Sequence, residues 1–370
     1  MPGCDPTRGD PTRGDPTRGD PTRGDVVRTR DLEVSAPVPV VDGIPYARTG
    51  REELRAHVAD LLAADDVDGA RIALLADADD WWDTAAPSPS QLAQVVQAAS
   101  LREAMQLLGM GRVGDYFAHR WSDPTYLSGL ALLQQHWPGQ RPVVEIACGV
   151  GHFLRELVRR GVSDVVGVDV VWAKLWLAGR FVCPEARYVC ADVTALPPLD
   201  VASPAYVLCH DALYFVEDKA AAIRGMRNVA GPSGTVVVGH AHVADPHGLP
   251  LTSHGWAALT GADLLYDDDE LTASLLEGRA PRPSTAGALA GSEALATVTG
   301  DRLAPCPVDL GEPLGPLRLN PLYVGGRLTW PSERYEAEYG PRSGYLPLQC
   351  EPLPTDAARR RVLVDLPEHW

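Results

Sequence analysis

The sequence predicts an α/β fold built on a doubly wound, mostly parallel β-sheet. From Arg141 onward, short apolar segments alternate with amphipathic segments, and the apolar segments are almost unbroken. This pattern is typical of parallel strands that helices cover on both faces. A glycine-rich turn also follows the first of these strands, and such turns position backbone N–H groups around a ligand.

The segments before the predicted sheet differ from it in composition. Residues 5–24 are four copies of Asp-Pro-Thr-Arg-Gly without an apolar residue to bury, so residues 1–33 are predicted to be a disordered tail. The Arg-Gly-Asp triplets inside the repeat are weak evidence for an adhesion motif. Residues 34–136 are predicted to form a helical N-terminal cap, with Ser100 and Asp123 as N-caps of two of its helices.

An aromatic and basic cluster, Tyr116-Phe117-Ala118-His119-Arg120-Trp121, lies between those two helices without a helical stripe. General burial preferences favour packing of the cap onto the next domain. The alternative is a lid over a substrate pocket.

Strands and helices alternate through the following region, residues 137–302. The predicted strands are Val143–Ile146 and residues 165–170, 188–191, 206–209, 235–239 and 295–299. Helices are predicted between them, the first over residues 152–160, and a later helix is capped by residues 267–270. Residues 303–370 are rich in proline and are predicted to form an extended arm that wraps the domain.

Composition excludes several classes of partner. The 33 basic and 49 acidic residues give a net charge of −16, which disfavours nucleic acid and anionic membranes. The seven scattered cysteines indicate neither a disulfide framework nor a zinc ribbon. The sequence shows no secretory signal, and charged residues interrupt its longest apolar stretch, so a soluble, cytoplasmic protein is expected.

Three acids and one loop carry the candidate chemistry. Gly149 and Gly151 let the backbone approach a ligand closely. Asp169 ends the second strand, where a carboxylate can accept both ribose hydroxyls. Asp192 ends the third strand and could read an adenine amino group, and Glu145 could attract a positively charged amino group. Together they predict an adenosine-containing cofactor.

At these residues the chain resembles the class I S-adenosylmethionine-dependent methyltransferases. Residues 145–151 fit the family's first motif, with Ala147 where many members have glycine. Asp169 matches the ribose-binding acid, Ala191-Asp192-Val193 the adenine-contacting segment, and residues 209–215 the segment that borders methionine and acceptor. The resemblance covers about residues 137–299.

The resemblance implies a Rossmann-like, seven-stranded, mostly parallel sheet and S-adenosylmethionine as the methyl donor. It implies a cofactor site formed by Glu145, Ala147, Cys148, Gly149, Gly151, Asp169, Val170, Asp192, Val193, Cys209 and His210. The expected reaction is O- or C-methylation of a small-molecule acceptor, such as a specialised metabolite or a quinone-like compound. No oligomeric state is indicated.

Two other functions are considered. A nicotinamide-dependent dehydrogenase also uses a glycine turn, but Leu154 occupies the position where its fingerprint needs a third small residue. A methyltransferase-like protein that binds the cofactor without turnover has the same binding residues.

Catalysis is harder to place. Methyl transfer needs an aligned acceptor and, where the acceptor carries a proton, a general base. The candidates are His210, Asp211, Tyr214 and His240, which follow the fourth and fifth strands. Histidines at 240, 242, 247 and 254 could form a metal site, but their spacing is not diagnostic, and no metal is predicted.

Overall fold

The computed structural model describes residues 26–27, 38–78, 85–243, 251–300 and 309–370. The repeats of the predicted tail lie outside the described residues. Val26–Val27, within the segment predicted as tail, form strand β1.

The N-terminal part begins with a small antiparallel sheet, which the sequence analysis did not predict, and continues as helices. Its strands are β1 (Val26–Val27), β2 (Val38–Val41) and β3 (Ile44–Pro45). Its helices are α1 (Glu52–Ala63), α2 (Val67–Leu75), α3 (Pro89–Gln97), α4 (Leu101–Leu107), α5 (Gly111–His119) and α6 (Pro124–His136). The two predicted N-caps are confirmed, because Ser100 and Asp123 accept hydrogen bonds from the backbone N–H groups of Glu103 and Tyr126.

The aromatic and basic cluster, which has no helical stripe in the sequence, is nevertheless helical in the structure. It occupies the end of α5 and a 3-10 turn, Arg120–Ser122. Phe117, His119, Arg120 and Trp121 are all buried, so the usual contrast between an apolar and a polar helix face is missing.

A mostly parallel sheet of seven strands forms the centre of the described structure, as predicted. Its strands are β4 (Val143–Ile146), β5 (Val165–Asp169), β6 (Arg187–Cys190), β7 (Tyr206–His210), β8 (Thr235–His242), β9 (Leu264–Asp267) and β10 (Ala294–Gly300). The order is β6-β5-β4-β7-β8-β10-β9, with β10 antiparallel to both neighbours. Strand β9 was not predicted, because its four residues lie beside a run of acids.

The helices of this domain are α7 (His152–Arg159), α8 (Trp172–Leu177), α9 (Lys219–Ala230), α10 (Ser253–Thr260) and α11 (Asp268–Glu277). Alternate residues of β4 enter two different cores: Val143 packs in one, and Val144 and Ile146 in the other. Both faces of the strand are therefore buried, which explains its unbroken apolar sequence.

The order of the strands determines where a ligand can bind. The chain runs from β4 outward through β5 to β6 and then returns to β7 on the other side of β4. A crevice therefore opens at the carboxyl ends of β4 and β7, which is where sheets of this kind bind ligands.

The C-terminal arm is folded more regularly than the prediction of an extended segment implied. It contains β11 (Arg318–Leu319), β12 (Tyr323–Val324), β13 (Arg327–Leu328), α12 (Glu333–Tyr339) and β14 (Leu363–Val364). Tyr345 Oη and Asn320 Nδ2 donate hydrogen bonds to Ser122, and Trp370 Nε1 donates to the carbonyl of Ala118. The arm is thereby attached to the segment that contains the aromatic and basic cluster.

Among the described residues, no helix has both the length and the apolar character that a membrane span requires.

Candidate active site

The glycine loop after β4 is a tight turn in the left-handed region of backbone space. Ala147, Gly149 and Gly151 have φ values of 57°, 55° and 81°. The backbone N–H of Gly151 donates to the carbonyl of Cys148 at 2.9 Å and closes the turn. Ala147 adopts a conformation that favours glycine, which is consistent with glycine at this position in many methyltransferases and with a local strain of about 1 kcal/mol.

The cap covers the glycine loop. A Cβ atom added to Gly149 would lie 2.7 Å from Cε1 of Phe117, so the ring of Phe117 packs directly on this glycine. His152 Nε2 lies 3.0 Å from the backbone carbonyl of Phe117 and holds α5 against the start of α7. The cluster therefore packs on the next domain and also covers the predicted site, so the two interpretations of it are compatible.

Asp169 lies at the carboxyl end of β5 beside the loop. Its Oδ2 accepts a hydrogen bond from the N–H of Gly149 at 3.0 Å, and its Oδ1 accepts one from Val171 at 2.9 Å. Lys174 Nζ lies 3.8 Å from Oδ1. Each carboxylate oxygen retains a lone pair, so the group is held in position and can accept further hydrogen bonds from a diol. Val170 is half-buried beside it.

Asp192, after β6, contacts the N-terminal segment. Its Oδ2 accepts hydrogen bonds from the backbone N–H of Thr49 at 3.2 Å and from the hydroxyl of Thr49. The N–H of Ala47 donates to the carbonyl of Cys190 at 2.7 Å. Residues after β3 thus border the predicted adenine side of the site, which the sequence analysis did not anticipate. Val193 begins a 3-10 turn, Val193–Ala195.

Two buried groups of opposite charge face the crevice without partners. Glu145 Oε2, and both Nε and Nη2 of Arg120, have no hydrogen-bond partner among the described residues. Burial raises the pKa of Glu145 to about 8, although Arg120 acts in the opposite direction. The guanidinium carbon of Arg120 lies 4.8 Å from the ring centre of Tyr116 and 5.2 Å from that of Phe153.

Cys148 and Cys209 lie beside the crevice but are not activated thiols. Both are buried. Burial raises the pKa of Cys148 well above its usual range and raises that of Cys209 to about 12.

His210 has the surroundings of a packing residue. Its Nε2 lies 2.7 Å from the carbonyl of Thr125, and its ring packs edge-on against Phe153 at 5.4 Å. A Cβ on Gly239 would lie 2.2 Å from its Nδ1. Burial, with Arg120 nearby, lowers its pKa to about 4 and keeps the ring neutral.

The other catalytic candidates come together at the ends of β7 and β8. Tyr116 and Tyr214 donate hydrogen bonds to the carboxylate of Asp211 at 2.5 and 2.7 Å. His240 Nδ1 lies 2.9 Å from Asp268 Oδ2, and its Nε2 lies 3.9 Å from Asp211 Oδ1. Asp211 and His240 have φ values of 59° and 47°, and strained backbone of this kind clusters at functional sites.

At the ends of β7 and β8, each charged group shifts the pKa of its neighbour toward the ionised form. Burial alone would raise the pKa of Asp211, but His240, Arg120 and the two tyrosine hydroxyls lower it to about 2. Burial would lower the pKa of His240, but Asp268 and Asp211 raise it. We call Asp211, His240, His242 and Asp268 the Asp–His cluster. Its first three members place one ligand atom each within 4.8 Å of one another.

Sequence reasoning did not identify several of these residues. Asp268 was interpreted only as part of a helix cap, yet its buried carboxylate contacts His240. Arg342, from the arm, lies 3.6 Å from Asp268, and Tyr339 stacks on Tyr116 at 6.1 Å. Arg120 belongs to the aromatic and basic cluster that stands out in the sequence. Only the fold shows that two of its nitrogen atoms are buried without a hydrogen-bond partner among the described residues.

A cleft of about 910 Å³ lies along the outer edge of β6, lined by residues such as Asp42, Tyr188 and Leu199. None of the predicted site residues line it. A smaller cavity of about 380 Å³ reaches Asp268 and is lined by acids and Arg342.

Comparison with known proteins supports one family. Residues 144–238 match the model of a methyltransferase domain. No curated protein matches the chain.

Solved structures that resemble the chain include three methyltransferases. CalS10 from Micromonospora echinaspora, an amino pentose methyltransferase solved with S-adenosylmethionine bound, is 23% identical, with 32% of this chain and 50% of CalS10 covered and a TM-score of 0.26. The sugar N-methyltransferase KedS8 from a Streptoalloteichus species is 24% identical, with 36% and 51% covered and a TM-score of 0.27. An S-adenosylmethionine-dependent methyltransferase from Mesorhizobium loti is 19% identical, with 48% and 98% covered and a TM-score of 0.36.

The chain thus spans about half the length of CalS10 and KedS8. The family match contains the glycine loop, Asp169, Asp192 and the segment after β7. Residues 144–238 thus match a methyltransferase domain, and the described chain has the seven-stranded, mostly parallel sheet predicted from the resemblance to the class I methyltransferases.

Proposed function

We propose that the protein transfers a methyl group from S-adenosylmethionine to a small, polar acceptor. The single observation that carries the proposal is that Oε2 of buried Glu145, and Nε and Nη2 of buried Arg120, have no hydrogen-bond partner among the described residues. A buried carboxyl and a buried guanidinium without partners are costly, by several kcal/mol for charged groups. The amino-acid end of the cofactor supplies both missing partners.

The cofactor residues follow from this placement. Glu145 binds the ammonium group and Arg120 binds the carboxylate in a forked arrangement. Asp169, fixed by Gly149 and Val171, accepts the ribose hydroxyls. Asp192 and Val193 border the adenine. When bound, the sulfonium would supply a methyl group to a nucleophilic atom of the acceptor in an in-line displacement, with S-adenosylhomocysteine as the leaving group.

The acceptor reacts at the Asp–His cluster. Asp211 follows β7, the neighbour of β4, and His240 lies near the carboxyl end of β8, the next strand, on the same sheet edge as the glycine loop. The cavity beside Asp268 is lined by Asp267, Asp269, Glu293 and Arg342. Such a lining favours a hydroxylated, polar acceptor and disfavours an apolar quinone ring, which would leave these groups unpaired.

Calorimetry tests the proposal with a set of related ligands. S-adenosylhomocysteine should bind to the full chain, and 5′-methylthioadenosine, which lacks the amino-acid end, should bind more weakly. Replacing Arg120 by Gln should weaken S-adenosylhomocysteine by roughly 30-fold, as expected for about 2 kcal/mol of charged hydrogen bonding. The affinity for 5′-methylthioadenosine should change little.

Arg112→Gln is the matched control, because Arg112 is an exposed residue of α5, the helix that leads into the turn containing Arg120. If Arg120→Gln weakened the binding of S-adenosylhomocysteine and of 5′-methylthioadenosine equally, Arg120 would not be the partner of the cofactor carboxylate. Binding of NADH without binding of S-adenosylhomocysteine would overturn the proposed function in favour of a dehydrogenase.

A cofactor-binding protein without turnover is the second candidate. The complete set of cofactor residues is equally consistent with it. Screening of polar small-molecule extracts for methyl transfer distinguishes the two, because a protein of this second kind binds S-adenosylmethionine and methylates nothing.

A further inference from the structure

Two members of the Asp–His cluster, His240 and Asp211, lie close together without a hydrogen bond between them. The distance of 3.9 Å between His240 Nε2 and Asp211 Oδ1 is too long for a hydrogen bond, although both residues are buried or nearly so and lie side by side. The ring centre of His242 lies 4.8 Å from the ring centre of His240. Asp211, His240 and His242 therefore each place one potential metal-ligand atom within 4.8 Å of the other two.

We infer that Asp211, His240 and His242 bind a divalent transition-metal ion. Two ligands of one ion at bond lengths of about 2.1 Å lie at most about 4.2 Å apart, so the 3.9 Å separation already satisfies this limit. The widest separation, 4.8 Å, needs a side-chain rotation at the half-buried His242. Two imidazoles and one carboxylate suit Zn²⁺, Mn²⁺ or Fe²⁺ better than Mg²⁺ or Ca²⁺, which prefer oxygen ligands.

The groups behind these ligands match those of metal sites. Metal-binding histidines usually donate their second N–H to a carboxylate, which fixes the tautomer and directs the other nitrogen to the ion. His240 does so through Nδ1 to Asp268, at 2.9 Å. The Asp211 carboxylate is oriented in the same way by two donors, Tyr116 and Tyr214.

The left-handed backbone at two of the ligands is a further, independent sign. Asp211 and His240 hold φ values of 59° and 47° at the ends of adjacent parallel strands. Aspartate and histidine adopt this conformation more readily than most residues other than glycine, so the cost in energy at each position is modest. It aims both side chains into the crevice and toward each other.

The ion would hold a hydroxyl oxygen of the acceptor beside the methyl donor and favour its ionised form. This role rests on the proposed function, whereas the binding of the ion does not.

The experiment uses the full-length protein after treatment with a chelator. Titration with ZnCl₂ and MnCl₂ should show one ion bound per chain, and MgCl₂ should bind at least tenfold more weakly. X-ray absorption of the zinc-loaded protein should show two imidazole ligands. His242→Gln and Asp211→Asn should each lower the affinity for zinc at least 100-fold. Asp268→Asn should lower it by about 10–100-fold, because Asp268 orients His240.

His254→Gln is the matched control, since His254 is exposed on α10 and should leave zinc binding unchanged. Thermal unfolding shows that each variant is folded. Absence of a bound ion, or equal affinity in the His242 and His254 variants, would overturn the inference. If the metal site is overturned in this way, binding of S-adenosylhomocysteine to the same chelator-treated sample would still support the proposed function. A sample that binds neither zinc nor S-adenosylhomocysteine would count against the proposed function as well.

Discussion

At the scale of single residues, the crevice is defined by groups that the protein leaves incomplete. Glu145 and Arg120 are buried on neighbouring elements but do not form an ion pair with each other within 4 Å among the described residues. Since buried polar atoms without hydrogen-bond partners are destabilising, the placement of Glu145 Oε2 and of Arg120 Nε and Nη2 indicates a ligand that bonds to both side chains. His210 and His240 differ in their contacts: Nε2 of His210 lies at a backbone carbonyl while its buried Nδ1 has no partner among the described residues, and Nδ1 of His240 lies at the carboxylate of Asp268.

The state of Glu145 makes cofactor binding depend on pH. Burial raises its pKa from 4.5 to about 8, so the free protein keeps this carboxyl protonated at pH 6–7. Pairing with an ammonium group requires the ionised form. Binding of S-adenosylhomocysteine should therefore release a proton, and the affinity should rise with pH up to about 8, by at most tenfold per unit.

Calorimetry at pH 6.5 in buffers of different ionisation enthalpy measures this proton release. Glu145→Gln should bind more weakly and lose that proton release, whereas the wild type should retain it. A wild-type affinity independent of pH between 6 and 8 would show that Glu145 is not the ammonium partner.

The same pKa affects stability. The unfolded chain loses this proton near pH 4.5, whereas the folded chain keeps it to about pH 8. The native state therefore binds more protons in this window, and the contribution of Glu145 to stability decreases as the pH rises through it.

At the scale of elements, the site depends on contacts between the cap, the sheet and the arm. Helix α5 places Phe117 on the glycine loop, and α12 places Tyr339 on Tyr116. The end of the arm is tied to α7, because Arg155 and Arg159 both pair with the buried carboxylate of Asp365. Helix α7 begins at the glycine loop, so these ion pairs connect the arm to the cofactor site.

Removing this link should destabilise the arm. Asp365→Asn leaves two arginines without their shared carboxylate, and we expect a loss of about 2 kcal/mol in the free energy of unfolding. Urea unfolding measures the loss, and limited proteolysis should show earlier cleavage within residues 309–370. Glu368→Gln, at an exposed arm position, is the control and should change neither measurement.

A loss in the Asp365 variant no larger than in the Glu368 variant would mean that the arm is held by its apolar contacts alone. Those contacts include Val364 and Leu366, which belong to the same core as the sheet.

At the scale of the whole molecule, the sequence was sufficient for the parts of the fold that repeat a simple pattern. The parallel strands, the glycine loop and Asp169 follow from apolar runs and from glycine at turns, which are local signals. Strand β1 has only two residues, β2 and β3 each contain a proline, and β9 lies beside a run of acids, so none of them carries a clear strand signal. The regular structure of the arm was missed because its elements are stabilised by packing on the cap.

The residues of the site also divide into those that a local sequence pattern predicts and those that only tertiary packing brings together. Residues in motifs were placed correctly on the sheet edge, because the carboxyl ends of parallel strands share one edge. Arg120, Asp268 and Arg342 come from a cap, a late helix and the arm, and only tertiary folding brings them to that edge. Asp192 ends its strand as predicted, but its contact with Thr49 joins residues 143 positions apart, which no local pattern reveals.

The most direct test of the account is a crystal structure of the full chain with S-adenosylhomocysteine. We expect the ligand in the crevice at the ends of β4 and β7, with its ammonium on Glu145, its carboxylate on Arg120 and its ribose on Asp169. The ring of Phe117 should then have moved off Gly149. Density for the ligand in the cleft along the outer edge of β6, with Glu145 and Arg120 still unpaired, would contradict the central claim.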